Sequence, residues 1–198
     1  MIEFNNLNQG MPYRLLKKKY DEAIDAGQKG IEAISISSFN KEINEVDSRY
    51  VNLKFIVNDE LIFFSNYESP KAAAFNSHHQ ISALIFWPST NVQIRMKAKI
   101  EKTSDEFNQK YFFDRSKEKN ALAISSKQSK KIRTFDQVKE NYNKSLNNDD
   151  LKTCPKYWGG FSFVPHEIEF WEGNEFRLNK RNLYKKDNTN WNIYFLEP

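Results

Sequence analysis

Cysteine and histidine are scarce in this sequence, and long apolar runs are missing. The 198 residues include one cysteine and three histidines, so an internal disulfide is impossible and no Cys/His spacing indicates a zinc or other metal site. The longest apolar run, residues 81–87, is far shorter than the ~20 residues that a membrane-crossing helix needs. The N-terminus lacks the basic and apolar regions of a secretion signal. We therefore expect a metal-free, cytoplasmic protein that does not span a membrane.

Charged and aromatic residues are abundant by contrast, at 28% and 15% of the chain, and the net charge is +4. This length and composition suit one domain, residues 1–198, with an aromatic-rich core. The densest basic cluster, Lys127–Arg133, is typical of a solvated helix end, and nucleic-acid binding is the weaker alternative. We expect no nucleic-acid partner.

Apolar periodicity places the secondary structure. An amphipathic helix is predicted over residues 12–27, because Tyr13, Leu16, Tyr20 and Ile24 form one stripe. Further helices are predicted over residues 69–75, 103–115, 116–126 and 135–146, with Ser69 capping the first and a capping box from Thr103 to Glu106 opening the second. Strands are predicted over residues 34–36, 49–57, 61–65, 81–87, 92–100, 160–164, 167–172 and 191–196.

Two of these strands carry more detailed expectations. Residues 81–87 are expected to be buried on both faces. In residues 49–57, Val51, Leu53 and Phe55 share the apolar face, so Lys54 faces away from the core.

Hairpin-like strands with helices inserted between them predict an α+β, mainly β, antiparallel barrel. Residues 1–30 are then a helical N-terminal segment, residues 31–101 the main barrel strands and residues 102–147 a helical insertion. Residues 157–198 complete the barrel.

Phosphate binding requires cations and hydroxyl donors on rigid elements. Lys54, Tyr111 and Arg115 meet this requirement if strand and helix face each other, although a Tyr/Arg pair at helical spacing is also typical of a surface contact. A second anion site is possible from Arg49, Lys71 and the Gln128-Ser129 dipeptide, with solvated side chains as the alternative.

The C-terminal segment combines glycines, tryptophan and arginines. Gly159 and Gly160 indicate close approach of another group. Alternation from Glu167 to Trp171 turns Trp171 away from the core-facing side chains. If residues 177–181 are extended, two of Arg177, Asn179 and Arg181 share a face that suits a planar anion.

Taken together, ten short motifs resemble the pyridoxamine 5′-phosphate oxidase family in order and approximate spacing. They are Arg49-x-Val-x-Leu-Lys54, Phe64-Ser-Asn66, Ser69-x-Lys71, Gln93, Tyr111-Phe-x-x-Arg115, Ser126-Lys-Gln-Ser129, Trp158-Gly-Gly160, Ile168-Glu-Phe-Trp-x-Gly173, Arg177-Leu-x-x-Arg181 and the closing Trp191-x-Ile193 with Leu196-x-Pro198.

The resemblance implies a split β-barrel homodimer that binds FMN at the subunit interface. It further implies oxidation of pyridoxine or pyridoxamine 5′-phosphate to pyridoxal 5′-phosphate, with dioxygen as acceptor and hydrogen peroxide as product. The matching FMN contacts are Arg49, Tyr50, Val51, Asn52, Leu53, Lys54, Phe64, Ser65, Lys71, Gln93, Gln128, Ser129, Trp171 and Arg181. The matching substrate contacts are Lys54, Tyr111, Arg115, Lys119, Arg177, Leu178 and Asn179, of which Arg177 and Asn179 are the expected catalytic pair.

Three positions depart from the family pattern: Pro70 replaces an arginine, Lys119 a serine and Asn179 a histidine. Asparagine cannot take up a proton near neutral pH as histidine does. A flavoprotein with another substrate, or a flavin or pyridoxal phosphate binding protein without oxidase activity, therefore stay open as alternatives.

Overall fold

The structure is a computed structural model that describes residues 1–198. The strands are β1 (Glu3–Asn5), β2 (Ala33–Asn40), β3 (Glu45–Val57), β4 (Glu60–Asn66), β5 (Gln80–Trp87), β6 (Val92–Lys102), β7 (Trp158–Glu172), β8 (Lys180–Asp187) and β9 (Asn190–Leu196). The helices are α1 (Met11–Asp25), α2 (Pro70–Ser77), α3 (Asp105–Asp114), α4 (Lys117–Ser125) and α5 (Phe135–Asn148). None of these helices combines the length and the apolar character that crossing a membrane requires.

Six of the strands close into an antiparallel barrel, in the order β3, β2, β5, β6, β7 and β4, with β4 pairing back to β3. Strand β7 completes the barrel because it pairs with β4 on one side and with β6 on the other. Strands β8 and β9 extend the sheet beyond β7, and β1 runs parallel to β3. The predicted α+β, mainly β, antiparallel split barrel is confirmed.

Apolar side chains fill the barrel as the alternation of β6 predicts. Its residues Val92, Ile94, Met96, Ala98 and Ile100 are all buried, and each large aliphatic side chain stabilises the fold by about 1.5–3 kcal/mol.

Helix α1 packs on this core through Tyr13, Leu16 and Tyr20, and the Tyr20 ring meets Trp87 edge-on with centroids 6.1 Å apart. Ile24 departs from the predicted stripe because it is 37% exposed, and Ala23 is buried instead.

The predicted alternation of β3 is wrong around Lys54. The register of β3 against β4 shifts between Leu53 and Phe55, so Leu53 and Ile56 are the buried pair. Phe55 lies outside this pair and contacts Tyr111, with ring centroids 5.3 Å apart. A β-bulge of this kind re-aims a side chain, and here it accompanies the placement of Lys54 in the cleft described below.

The prediction that residues 81–87 are buried on both faces is also wrong. Burial alternates along β5, and Leu84 and Phe86 on the outer face are 36% and 50% exposed. A barrel wall has an inner and an outer face, and no other part of the chain covers this part of the outer one.

The C-terminal strands differ from their predicted bounds. Residues 160–164 and 167–172 belong to one strand, β7, whose register against β6 shifts beside Pro165, because proline has no N–H with which to continue the ladder. Strands β1 and β8 are absent from the predicted set; β8 is short of apolar residues and rich in lysine, so its sequence carries little strand signal.

The predicted helix caps are partly wrong. Ser104, one residue after the predicted cap, accepts a hydrogen bond from the Phe107 N–H at 3.2 Å. Thr103 instead donates to Asn108 Oδ1 at 2.6 Å. Ser69 does precede α2, but its hydroxyl donates to the carbonyl of Asn66 and does not cap the helix.

Close approach at the paired glycines is confirmed. A Cβ on Gly159 would collide with the Tyr67 hydroxyl and the Asn108 amide, and a Cβ on Gly160 would collide with Thr103. Asn108 Oδ1 accepts the Gly160 N–H at 2.7 Å, so the glycines allow α3 to bond directly to β7.

Substitution Gly159→Ala is predicted to lower the free energy of unfolding by about 2–3 kcal/mol, because the new methyl group overpacks this junction. The matched control is Gly30→Ala, where the methyl group meets open space and the positive φ of 58° costs only about 1–2 kcal/mol. Urea unfolding of the two variants measures the difference. If both variants lose the same free energy of unfolding, Gly159 is not needed for the close approach of α3 to β7.

Candidate functional site

A cleft of about 580 Å³ lies where β3 and β4 meet helices α3 and α4. Its walls contain many of the residues that the sequence predicts for a site, contributed by separate parts of the chain. Those residues are Tyr50, Val51, Asn52, Lys54, Phe64, Ser65, Lys71, Tyr111, Arg115, Lys119 and Gln128.

The cleft is rich in cations that lack an anionic partner. Lys54, Lys71, Arg115 and Lys119 line it, and none of the four forms an ion pair within 4.0 Å. Bringing like charges together costs free energy unless an anion neutralises them. The cleft is therefore suited to an anionic ligand.

Lys71 forms one group of donors in the cleft with Ser65 and Gln128. Its ammonium donates to Ser65 Oγ at 3.1 Å and to Gln128 Oε1 at 2.9 Å, and Ser65 Oγ donates to the same Gln128 oxygen at 2.9 Å. Burial, followed by repulsion from Arg49, lowers the pKa of Lys71 to about 8. The lowered pKa follows from burial and from the neighbouring Arg49, and only Asp47 acts in the opposite direction.

Arg49, Leu53 and Ser129 do not line the cleft. The Arg49 guanidinium donates to Ser38 Oγ at 2.8 Å and pairs with Asp47, although it is near enough to Lys71 to lower that pKa. Leu53 is fully buried in the core. Ser129, next to Gln128, adopts a left-handed conformation with a φ of 68°.

Arg115 is held rigidly in a second group of donors. Its Nη1 donates to Asn120 Oδ1 at 3.1 Å, and its guanidinium lies 4.5 Å from the ring centroid of Trp158. Asn120 is fully buried and donates in turn to the carbonyls of Phe112 and Leu151. Stacking on an aromatic ring and one fixed hydrogen bond leave the remaining guanidinium donors available for a ligand.

Tyr111 accompanies Arg115 and Lys119 in this group. Its ring stacks on Phe64 with centroids 3.9 Å apart. Burial raises the pKa of the Tyr111 hydroxyl, so the hydroxyl stays protonated near neutral pH and can donate to an anion.

The remaining predicted residues lie on a different part of the sheet. Gln93 on β6 pairs with Trp171 on β7, and Trp171 pairs with Arg181 on β8. The buried carboxylate of Glu169 accepts from Arg181 Nε at 2.8 Å and from Arg95 at 3.1 Å. These contacts fix the orientation of Arg181.

Residues 175–179 form a turn before β8, in which Arg177 and Leu178 are exposed and Asn179 is half-buried. Residues 177–179 are therefore not extended, as residues 177–181 would have to be for the predicted shared face. Phe176 and Arg177 have φ values of 54° and 62°, and only Arg181 of the three polar candidates lies within a strand. Asn179 Oδ1 accepts the Asn174 N–H at 3.2 Å. The Asn179 side chain thus helps to shape the turn that presents Arg177 and Leu178.

The two sets of residues do not meet within one chain. Trp158, at the start of β7, pairs with Asn66 beside the cleft, whereas Trp171 lies near the other end of the same strand. A strand of 15 residues extends over roughly 45 Å. The two sets can therefore contact one ligand only if the second set comes from another copy of the chain, whereas within one chain they would contact separate ligands.

Six residues that line the cleft are absent from the predicted site residues, although three of them, Asn66, Ser126 and Trp158, stand in the motifs of the family resemblance. The six are Glu32, Asn66, Leu122, Ala123, Ser126 and Trp158. Trp158 stands in a recognised motif, but its contact with Arg115 depends on how α3 packs on β7. Glu32 carries no sequence signal, since it is one of many charged residues between predicted elements. Asn120 carries no signal for a different reason: a polar residue within a predicted helix is usually exposed to solvent.

Comparisons with known proteins identify the fold and then the family. PhzG from Burkholderia lata 383, solved in complex with tetrahydrophenazine-1-carboxylic acid, has a TM-score of 0.88 at 24% identity and covers 94% of this chain and 92% of its own. A pyridoxamine 5′-phosphate oxidase-related, FMN-binding protein from Nostoc punctiforme PCC 73102 has a TM-score of 0.77 at 14% identity, covering 94% and 98%. The fold is thus that of the FMN-binding split barrels.

Sequence relatives give the family. The pyridoxine/pyridoxamine 5′-phosphate oxidase of Coxiella burnetii is 33% identical over 94% of this chain and 95% of its own length, and that of Colwellia psychrerythraea is 34% identical over 88% and 82%. Residues 158–198 match the pyridoxine 5′-phosphate oxidase C-terminal dimerisation region. The chain belongs to the pyridoxine/pyridoxamine 5′-phosphate oxidase family, and the names of these relatives mark it as an oxidoreductase family.

The lowered pKa of Lys71 predicts a pH-dependent affinity for anions. Lys71 is charged below about pH 8 and neutral above it, so the affinity for inorganic sulfate, whose charge is constant here, is expected to fall severalfold from pH 7 to pH 9. Substitution Lys71→Arg should flatten this profile because arginine stays protonated. Isothermal titration calorimetry measures both profiles.

The control is Lys144→Arg, which changes an exposed lysine on α5. In this variant the affinity for sulfate should fall with pH as in the wild type. If the affinity for sulfate falls as much with pH in Lys71→Arg as in the wild type, Lys71 does not have the role given to it.

Proposed function

We propose that this protein is an FMN-dependent oxidase of pyridoxine 5′-phosphate and pyridoxamine 5′-phosphate, forming pyridoxal 5′-phosphate with dioxygen as acceptor and hydrogen peroxide as product. One observation carries the proposal: a single cleft holds two groups of unpaired cations and donors, around Lys71 and around Arg115. Two groups suit two phosphates, one on the cofactor and one on the substrate.

The residues present fit FMN. Lys71, Ser65 and Gln128 supply donors for its phosphate, with Arg49 adjacent, and the β3 segment from Tyr50 to Asn52 lines the same cleft. Because Pro70 stands where the family has an arginine, the chain offers one cation fewer to the FMN phosphate. Lys71 retains a cationic contact. FMN, when bound, would accept a hydride from the C4′ carbon of the substrate and pass the electrons to dioxygen. With the amine substrate, the resulting imine would take up water and release ammonia.

The chain's own residues would bind and orient the substrate. Lys54, Tyr111, Arg115 and Lys119 would hold its phosphate, with Lys119 using charge where the family has a serine hydroxyl. Because Asn120 and Trp158 fix Arg115, the phosphate would be placed with little ordering cost during binding.

The second set of residues would come from a second copy of the chain. The match of residues 158–198 to a dimerisation region supports a homodimer, and the exposed outer-face residues Leu84 and Phe86 lie on β5, next to Gln93. Gln93, Trp171 and Arg181 of one subunit would then contact the FMN held in the cleft of the other.

Arg177 and Asn179 would lie over the substrate ring in the same arrangement. Asn179 cannot exchange a proton near neutral pH, and its side chain is bonded within its own turn. We therefore assign Asn179 a positioning role, with Arg177 as the charged group that touches the substrate.

A different substrate for the same fold is the second candidate. Lys119 and Asn179 change two positions that the family uses for substrate, and the structural neighbour PhzG was solved in complex with tetrahydrophenazine-1-carboxylic acid. Oxidation of such a carboxylate, with no measurable affinity for pyridoxal 5′-phosphate, would favour this candidate. A bound flavin that neither class of compound reduces would indicate a binding protein without oxidase activity.

Purified protein is predicted to be yellow and to form pyridoxal 5′-phosphate with oxygen uptake. Substitution Arg115→Ala should lower kcat/KM by about 100-fold, mainly through KM, because it removes a charge-assisted contact to the substrate phosphate worth about 1.5–3 kcal/mol. Steady-state oxygen consumption measures the change.

The control Lys110→Ala removes an exposed cation one residue before Tyr111, outside the cleft, and should retain wild-type kinetics. Wild-type protein loaded with FMN but inactive on both phosphates would refute the proposed function.

A further inference from the structure

Glu32 is the single carboxylate among the residues that line the cleft. It lies just before β2, and its backbone carbonyl accepts the Leu53 N–H at 2.8 Å, which fixes it beside the β3 segment that carries Lys54. Its side chain is 26% exposed, so it is restricted in position yet open to the cleft. An acidic residue is unexpected in a cleft otherwise suited to anions.

The cleft cations do not neutralise this carboxylate. None of Lys54, Lys71, Arg115 and Lys119 lies within 4.0 Å of it, and its one ion pair is with the α-amino group of Met1 at 3.9 Å. The Met1 side chain is 82% exposed, and an ion pair at such an open position contributes little to stability. The contact does show that a primary ammonium can approach the Glu32 carboxylate.

A ligand that pairs with the cleft cations and with the Glu32 carboxylate must carry one negative and one positive group. Its phosphate would bind to Lys54, Arg115 and Lys119, and a protonated amine on the same molecule would satisfy Glu32. A hydroxyl group in the same place would gain only a neutral-donor hydrogen bond, which is weaker than a charge-assisted one.

We propose that Glu32 binds the protonated amino group of the substrate and makes the cleft selective for amine-bearing over alcohol-bearing phosphates. Resting on the proposed function, this means that pyridoxamine 5′-phosphate binds more tightly than pyridoxine 5′-phosphate. Glu32 acts here in binding the ammonium form. Before C4′ gives up a hydride, the amine must release one proton, to solvent or to the carboxylate itself.

The test measures the affinity of both phosphates by equilibrium dialysis without oxygen, in FMN-loaded protein whose flavin is first reduced with dithionite so that neither phosphate can be oxidised. Their kcat/KM is then measured in air. Substitution Glu32→Gln keeps the shape of the side chain and removes its charge. Affinity for pyridoxamine 5′-phosphate should fall about tenfold, the value of one charge-assisted contact. Affinity for pyridoxine 5′-phosphate should change by less than about twofold.

Two further variants complete the design. Glu42→Gln removes a carboxylate from an exposed turn outside the cleft and should leave both affinities unchanged. Glu32→Asp retains the charge and should keep the preference for the amine, which tests the proposal even if Glu32→Gln folds poorly.

Equal losses for the two phosphates in Glu32→Gln, or no preference for the amine in the wild type, would overturn the proposal for Glu32. Binding of both phosphates without oxidation would refute the proposed oxidase function while the affinity ratio still decides the role of Glu32. Wild-type protein that binds neither phosphate would refute both.

Discussion

The pairing of β7 with three other strands is the constraint on which the rest of the structure depends. By bonding to β4 and β6 it closes the barrel, and by continuing to β8 it carries the sheet outward. The same strand holds Trp158 under Arg115 at its start and Trp171 beside Arg181 near its end. A strand is too stiff to bring its two ends together, so barrel closure itself separates the two groups of polar residues.

Anion binding in the cleft comes at the expense of local stability. Four cations line one cleft, and none of them forms an ion pair. Burial, with repulsion from the nearby Arg49, lowers the pKa of one of them, Lys71. Fixed neighbours compensate: Asn120 and Trp158 hold Arg115, and Ser65 and Gln128 accept from Lys71. Unpaired charges of this kind are typical of functional sites. A bound anion would neutralise them and so stabilise the folded protein.

Much of the fold follows from the sequence because apolar periodicity is a local property. The face of β6 and the existence of helices α1 to α5 could be predicted in this way, and the family resemblance pointed to most of the cleft. The bulge at Lys54 and the register shift at Pro165 could not be predicted, because they depend on which strand lies opposite. The contact of Asn120 with Arg115 and the position of Glu32 in the cleft could not be predicted, because both arise only when α4 and the start of β2 pack beside the cleft.

The central claim is that each site is shared between two copies of the chain. Its most direct test is FMN content in mixed dimers formed by co-expressing Lys71→Ala and Arg181→Ala chains, isolated with two affinity tags. Each variant alone should lose FMN. In the mixed dimer one site receives both wild-type halves, so the account predicts recovery of one FMN per dimer. A mixed dimer that assembles but stays as poor in FMN as either parent would contradict it, because every site would then lie within one chain.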